Sequence, residues 1–80
     1  MKFNIEYGAT GSYNDIEEET IECANFAEAE AYATEAAYEV CDSYGIGNGI
    51  AIEEEWQDAM DEWAHISVEV VLWNLRDILA

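Results

Sequence analysis

Nineteen carboxylates stand against one lysine and one arginine in this chain of 80 residues, leaving a net charge of −17. Acid–base catalysis needs groups of opposed or tuned ionisation, and little here is set beside the acids to provide them. The one histidine, His65, follows Trp63-Ala64 and precedes an apolar run, the context of a surface or half-buried side chain. Ser12, Ser43 and Ser67 lie in no nucleophile-elbow setting. Cys23 and Cys41 have no neighbouring base in sequence to lower their pKa, so they read as small core residues. Carboxylate pairs are too abundant for any one of them to mark an acid–base couple. The expectation is a protein without enzymatic activity.

Metal and phosphate chemistry fare no better. No D-x-[DN]-x-[DN]-G loop is present, and the Cys/His spacing fits no zinc motif. The run Gly45-Ile46-Gly47-Asn48-Gly49 lacks the lysine and the strand–helix context of a phosphate loop. No cofactor and no specific metal site are expected. Two basic residues leave direct nucleic-acid binding without a footing.

What remains is the arrangement of the acids. Asn25 to Tyr44 reads as one long helix, capped by Asn25 with Glu28 three residues on, and closed by Gly45. Between the caps lie six alanines and neither proline nor glycine, a strong local helix propensity. At about 100° per residue, Phe26, Ala33, Ala37, Val40 and Tyr44 form a core stripe with Ala29 and Cys41 beside it. Glu28, Glu35, Glu39 and Asp42 line the opposite face, with Tyr32 among them. A second, shorter amphipathic helix begins near Ile52. Ile52, Trp56, Ala59, Met60 and Trp63 repeat at helical spacing, with Glu53, Glu54, Glu55, Asp58, Asp61 and Glu62 between them. Its acidic first turn suits the helix dipole. None of these acids has a local cationic partner.

Strands complete the pattern. Lys2 to Tyr7 alternates with Phe3, Ile5 and Tyr7 on one side. Gly8 and Gly11 punctuate a turn region through Asn14, and Glu17-Glu18-Glu19 leads into a second short strand, Thr20 to Cys23. These two should pair as an antiparallel hairpin with a long connection. His65 to Trp73 switches to a period of two and reads as a strand with both faces partly covered, while Asn74 to Ala80 fits either a helical turn or a strand extension. The order β-β-α-α-β predicts one α+β domain, residues 1–80, with a small antiparallel sheet packed against one long and one short helix. About 24 Å of helix between Cys23 and Cys41 would keep them apart as free thiols, as in a reducing cytosol. Neither a membrane span nor a signal peptide is visible.

Charge density gives the acids a meaning. A compact chain of this length is about 30 Å across, and ~30 Å of duplex DNA carries about 18 charges. Self-repulsion of this size destabilises a compact fold, which suggests a use. A short, lysine-poor, acidic α+β domain with the stripe Glu28, Glu35, Glu39 and Asp42 resembles the small DNA-mimic inhibitors of phages and mobile elements, with anti-CRISPR and antirestriction proteins the nearest groups. The resemblance is one of class, carried by charge, size and that stripe, and no residue role transfers with it. It implies a non-catalytic inhibitor, cytoplasmic in the infected host, that blocks the basic channel of a nucleic-acid-binding protein such as a CRISPR–Cas effector or restriction enzyme. Tyr32, and Tyr13 near the acidic run, would supply amphipathic anchors. Two alternatives stand beside it. One is an acidic adaptor that binds a basic partner without mimicking DNA, with a homodimer through Trp56, Trp63 or Trp73. The other is a halophilic domain with an unrelated role.

Overall fold

Phe3 and Ile5 are buried while Lys2 and Asn4 are exposed, and this period of two builds the first strand, β1 (Lys2–Ala9), in a computed structural model that describes residues 1–71. The second strand, β2 (Asp15–Glu22), runs antiparallel to it in register from Lys2↔Glu22 to Ala9↔Asp15. The strand expected over Thr20 to Cys23 therefore begins five residues earlier and takes in the whole acidic run. Glutamate disfavours strands, but β2 is an edge strand whose acids reach solvent, and pairing with β1 overrides propensity. The connection is correspondingly short, Thr10 to Asn14, with positive φ at Gly11 and Asn14.

The long helix is α1 (Phe26–Ser43). The Asn25 side chain accepts a 2.8 Å hydrogen bond from the Glu28 amide, as its sequence pattern predicts. At the other end Gly45, at φ +82°, donates to the Asp42 carbonyl, and Ile46 donates to the Cys41 carbonyl. These two bonds and the buried Ile46 make a Schellman closure. The buried ridge is Ala29, Ala33, Ala37 and Cys41. Phe26 and Tyr44, assigned above to the core stripe, are 48% and 44% exposed. They sit at the helix ends, and pack edgewise on Phe3 and against Tyr13 respectively.

A second helix, α2 (Glu53–Trp63), presents Met60 to the core with Trp56 and Trp63 half-buried. Ile52 does not join that face. It is the N-cap residue, in extended conformation and 59% exposed, so the helical period does not reach it. Gly47 in the preceding loop has φ +82°, and a Cβ there would stand 2.8 Å from the Trp56 ring, so this turn depends on glycine. The third strand, β3 (Ala64–Val70), follows α2 without a loop and pairs antiparallel with β1 from Phe3↔Val70 to Ala9↔Ala64.

The sheet order is thus β2-β1-β3, and the helices pack on one of its faces in an α+β fold. Two clusters form the interior. Phe3, Ile5, Cys23, Ala29 and Ala33 lie under the first half of α1; Ala9, Cys41, Ile46 and Met60 lie under its end and α2. Both cysteines are buried free thiols, one in each cluster. Burial pushes the Cys41 thiol above its ordinary pKa. Two expectations need correction. β3 leaves Ser67 and Glu69 exposed and His65 half-buried on its outer face, less than the partial cover expected there, because polar residues need none. The strand also ends at Val70; Leu72 and Trp73, with the segment Asn74 to Ala80, lie outside the described residues.

Candidate functional site

Glu28, Glu35, Glu39 and Asp42 are all exposed on α1, on the side away from the alanine ridge. Helical spacing puts i,i+3 and i,i+4 members of this row about 5–6 Å apart at Cβ. No side chain of the described residues donates to any of the four carboxylates. Tyr32 lies on the same face, 45% exposed, but its hydroxyl turns toward the sheet and donates to Glu19 at 3.2 Å. Tyr32 is therefore engaged within the fold, where an outward anchor was expected.

On α2, Glu53, Glu54, Glu55, Asp58, Asp61 and Glu62 are likewise exposed. Glu53, Glu54 and Glu55 occupy the first turn, where the helix N-terminus favours negative charge. Asp61 alone among the six accepts a side-chain hydrogen bond, from the Tyr38 hydroxyl. That bond holds the Tyr38 phenol above the ordinary tyrosine pKa, with burial adding to it. The Tyr38 ring also meets Trp56 edge to face, 5.8 Å between centroids. Beside this aromatic pair a groove of about 640 Å³ runs along α1, floored by Ala27, Ala31 and Thr34. Glu35, Glu39 and Asp42 stand along it, joined by Glu30. The structure thus brings the acids of the α1 face to the rim of a groove, a relation that a face-by-face reading of one helix misses.

The sheet edge carries acids that the sequence reading left out of the site. Glu17, Glu18 and Glu19 on β2 are exposed, and alternation divides them between the two faces of the sheet. On the inner face Glu19 accepts from Tyr7 at 3.1 Å as well as from Tyr32. Tyr44 donates to Asp15 at 2.7 Å. On the outer face Glu18 pairs directly opposite Glu6, and a shallow cleft of about 370 Å³ lies there with Asn4, Thr20, Ser67 and Glu69 around it. His65 meets Glu6 at 2.9 Å, and this hydrogen bond is the main reason the Glu6 carboxyl is held below its ordinary pKa. The signal that would have found this edge was available: eight residues from Asp15 to Glu22 can match the eight of β1, once the acidic run is allowed on an edge strand.

The Glu6–His65 contact is the one pairing of a carboxylate with a basic side chain among the described residues. Arg76 and Asp77 offset one another, so residues 1–71 carry the same net −17 as the whole chain. Among the described residues no three His, Cys, Asp or Glu side chains converge to hold a metal ion. No helix there is long and apolar enough to cross a membrane. Compared with protein families, with curated proteins and with solved structures, the chain matches none.

Proposed function

We propose that this protein is a non-catalytic DNA-mimic inhibitor that occupies the basic nucleic-acid channel of a host defence protein, such as a CRISPR–Cas effector or restriction enzyme. The observation that supports it is the row of carboxylates on α1, exposed and, among the described residues, without cationic or hydrogen-bonding side-chain partners, in a chain of net charge −17. Such groups lose few protein contacts when they meet lysines and arginines that otherwise hold phosphates. Long-range attraction between surfaces of opposite charge also speeds association, which suits an inhibitor competing with DNA. The acids of α2 extend the same negative surface.

The test is inhibition of a candidate nuclease with and without competing DNA. A mimic is displaced by excess DNA of the kind the nuclease binds, and inhibition weakens as salt rises. Inhibition that excess DNA leaves unchanged would remove the mimic reading. A second reading, an acidic adaptor for a basic partner, draws support from the apolar floor of the groove beside α1, which phosphate mimicry does not require. Binding to a basic protein that has no nucleic-acid channel would favour it.

A further inference from the structure

We propose that the groove between α1 and Trp56 receives an amphipathic basic helix of the protein this chain binds. Ala27, Ala31, Thr34 and Tyr38 follow one another at steps of four, three and four residues, so they form one line along α1. Eleven residues of rise make that line about 16 Å long, three turns of a partner helix. The first three side chains are small, which permits helix axes to approach to about 8–10 Å. Tyr38 and Trp56 complete the groove with the aromatic residue types that most often anchor an interface.

Charge identifies the occupant. Glu30, Glu35, Glu39 and Asp42 rim the apolar floor, so the complementary surface has apolar residues at i, i+4 and i+7 with lysine or arginine on either side. A second copy of this chain would bring its own uncompensated carboxylates to the same rim and be repelled. An extended basic strand would meet the acids and leave the floor unfilled. The inference rests on the proposed function only in requiring that the partner be basic.

The probe is a synthetic helix of about 18 residues, ~27 Å long, made of leucine and lysine with the leucines on one face. Its control has the same composition in an order that gives no apolar face. Titrated into the full-length protein at about 0.15 M salt, the patterned peptide should bind at least ~10-fold tighter than the control, a difference of about 1.4 kcal/mol. Its largest amide shifts should fall on Ala27, Ala31, Thr34 and Tyr38, with the Trp56 indole. Ala31→Trp, at an exposed position, should fill the groove and bring both peptides to the same affinity. Ala27→Trp should do the same if the first variant unfolds. Equal binding of the two peptides by the native protein, shifts confined to β2, or undiminished binding by folded Ala31→Trp would overturn the inference. So would cross-relaxation showing that residues 72–80 or a second copy fill the groove. Patterned binding without inhibition of any nuclease would leave the groove standing and remove the mimic. Full inhibition by Ala31→Trp would do the reverse.

Discussion

Glu19 and Glu39 are both exposed glutamates of one small protein, yet they are held in opposite ways. Glu19, on the sheet edge, accepts hydrogen bonds from Tyr7 and Tyr32, and its neighbours Asp15 and Glu6 are bonded to Tyr44 and His65. Among the described residues Glu39, on α1, has neither a hydrogen-bonding side chain nor a cation beside it, and Glu28, Glu35 and Asp42 share that condition. One set of acids is tied into the fold; the other is spaced by a helix and otherwise free. The contrast separates two uses of negative charge. Tethered carboxylates fix where the aromatic rings lie and stabilise the edge strand, while free ones only repel each other until a partner supplies the missing cations.

The largest effect should come from reversing the free set. Glu35→Lys with Glu39→Lys places two cations where the partner's cations are expected, and like-charge contacts at an interface cost several kcal/mol. Inhibition should fall by about 100-fold or more, since each ~1.4 kcal/mol is tenfold. Thermal unfolding should show the fold intact, because both positions are exposed and lie away from the alanine ridge. A folded double variant that inhibits undiminished would transfer the role to the acids of α2 or of β2.

Salt should act on the free set next. Raising sodium chloride from about 0.02 to 0.5 M shortens the screening length several-fold. The isolated protein should become more stable, its melting temperature rising as repulsion among α1 and α2 acids is screened. Affinity for the partner should move the other way, by at least about tenfold. A halophilic domain would instead remain unfolded at ~0.15 M, so a folded protein at that salt removes that alternative.

The tethered set should answer to a different substitution. Glu19→Ala leaves Tyr7 and Tyr32 without their acceptor, at a cost near 1 kcal/mol for exposed groups. In a domain of this size that lowers the melting temperature by roughly 4–8 °C. Affinity should change by less than about threefold, a small fraction of the α1 reversal. If Glu19→Ala instead weakens binding as much as the double reversal, the sheet edge is part of the contact and the division between the two sets fails.

This division was only half legible in the sequence. Helix periodicity carries α1 well, because its caps are local: Asn25 and Gly45 each act within a turn and perform as their spacing predicts, while Glu28 contributes its amide to the cap and not its carboxylate. The free acids follow from that helix alone. The tethered acids depend on which strand lies beside which, and Tyr32 meets Glu19 only because α1 crosses a sheet whose edge is β2. Propensity opposed a strand of consecutive glutamates, and the pairing with β1 that creates it is a long-range fact. Phe26, Tyr44 and Ile52 were misplaced for a related reason. Periodicity assigns a face but does not say where the neighbouring element ends.

The smallest effect should separate the two sets by pH. Tyr7, Tyr32, Tyr38 and Tyr44 are all held above the ordinary tyrosine pKa near 10. Burial leads for Tyr7, the charge of Glu19 for Tyr32, and the hydrogen bonds to Asp61 and Asp15 for Tyr38 and Tyr44. A folded-state pKa above the unfolded one means that the fold favours the protonated phenol. That contribution is complete below about pH 10 and is lost as pH rises through the folded values. Glu6, held below its ordinary value by His65, has the opposite sign. Its contribution is complete above the usual glutamate range and is lost as pH falls through the folded value. Melting temperature measured upward from pH 9 should therefore decline, and the tyrosinate absorbance of the folded protein should rise later than in denaturant. Removing the acceptors with Glu19→Ala and Asp15→Ala should bring Tyr32 and Tyr44 back toward the denatured curve. Glu35→Gln and Glu39→Gln should shift the curve far less, since no phenol donates to either and the charge of Glu39 is the smallest of the causes that raise Tyr32. Were those two neutral variants to shift it as far, the α1 acids would be coupled to the edge, and the tethered and free sets would be one network.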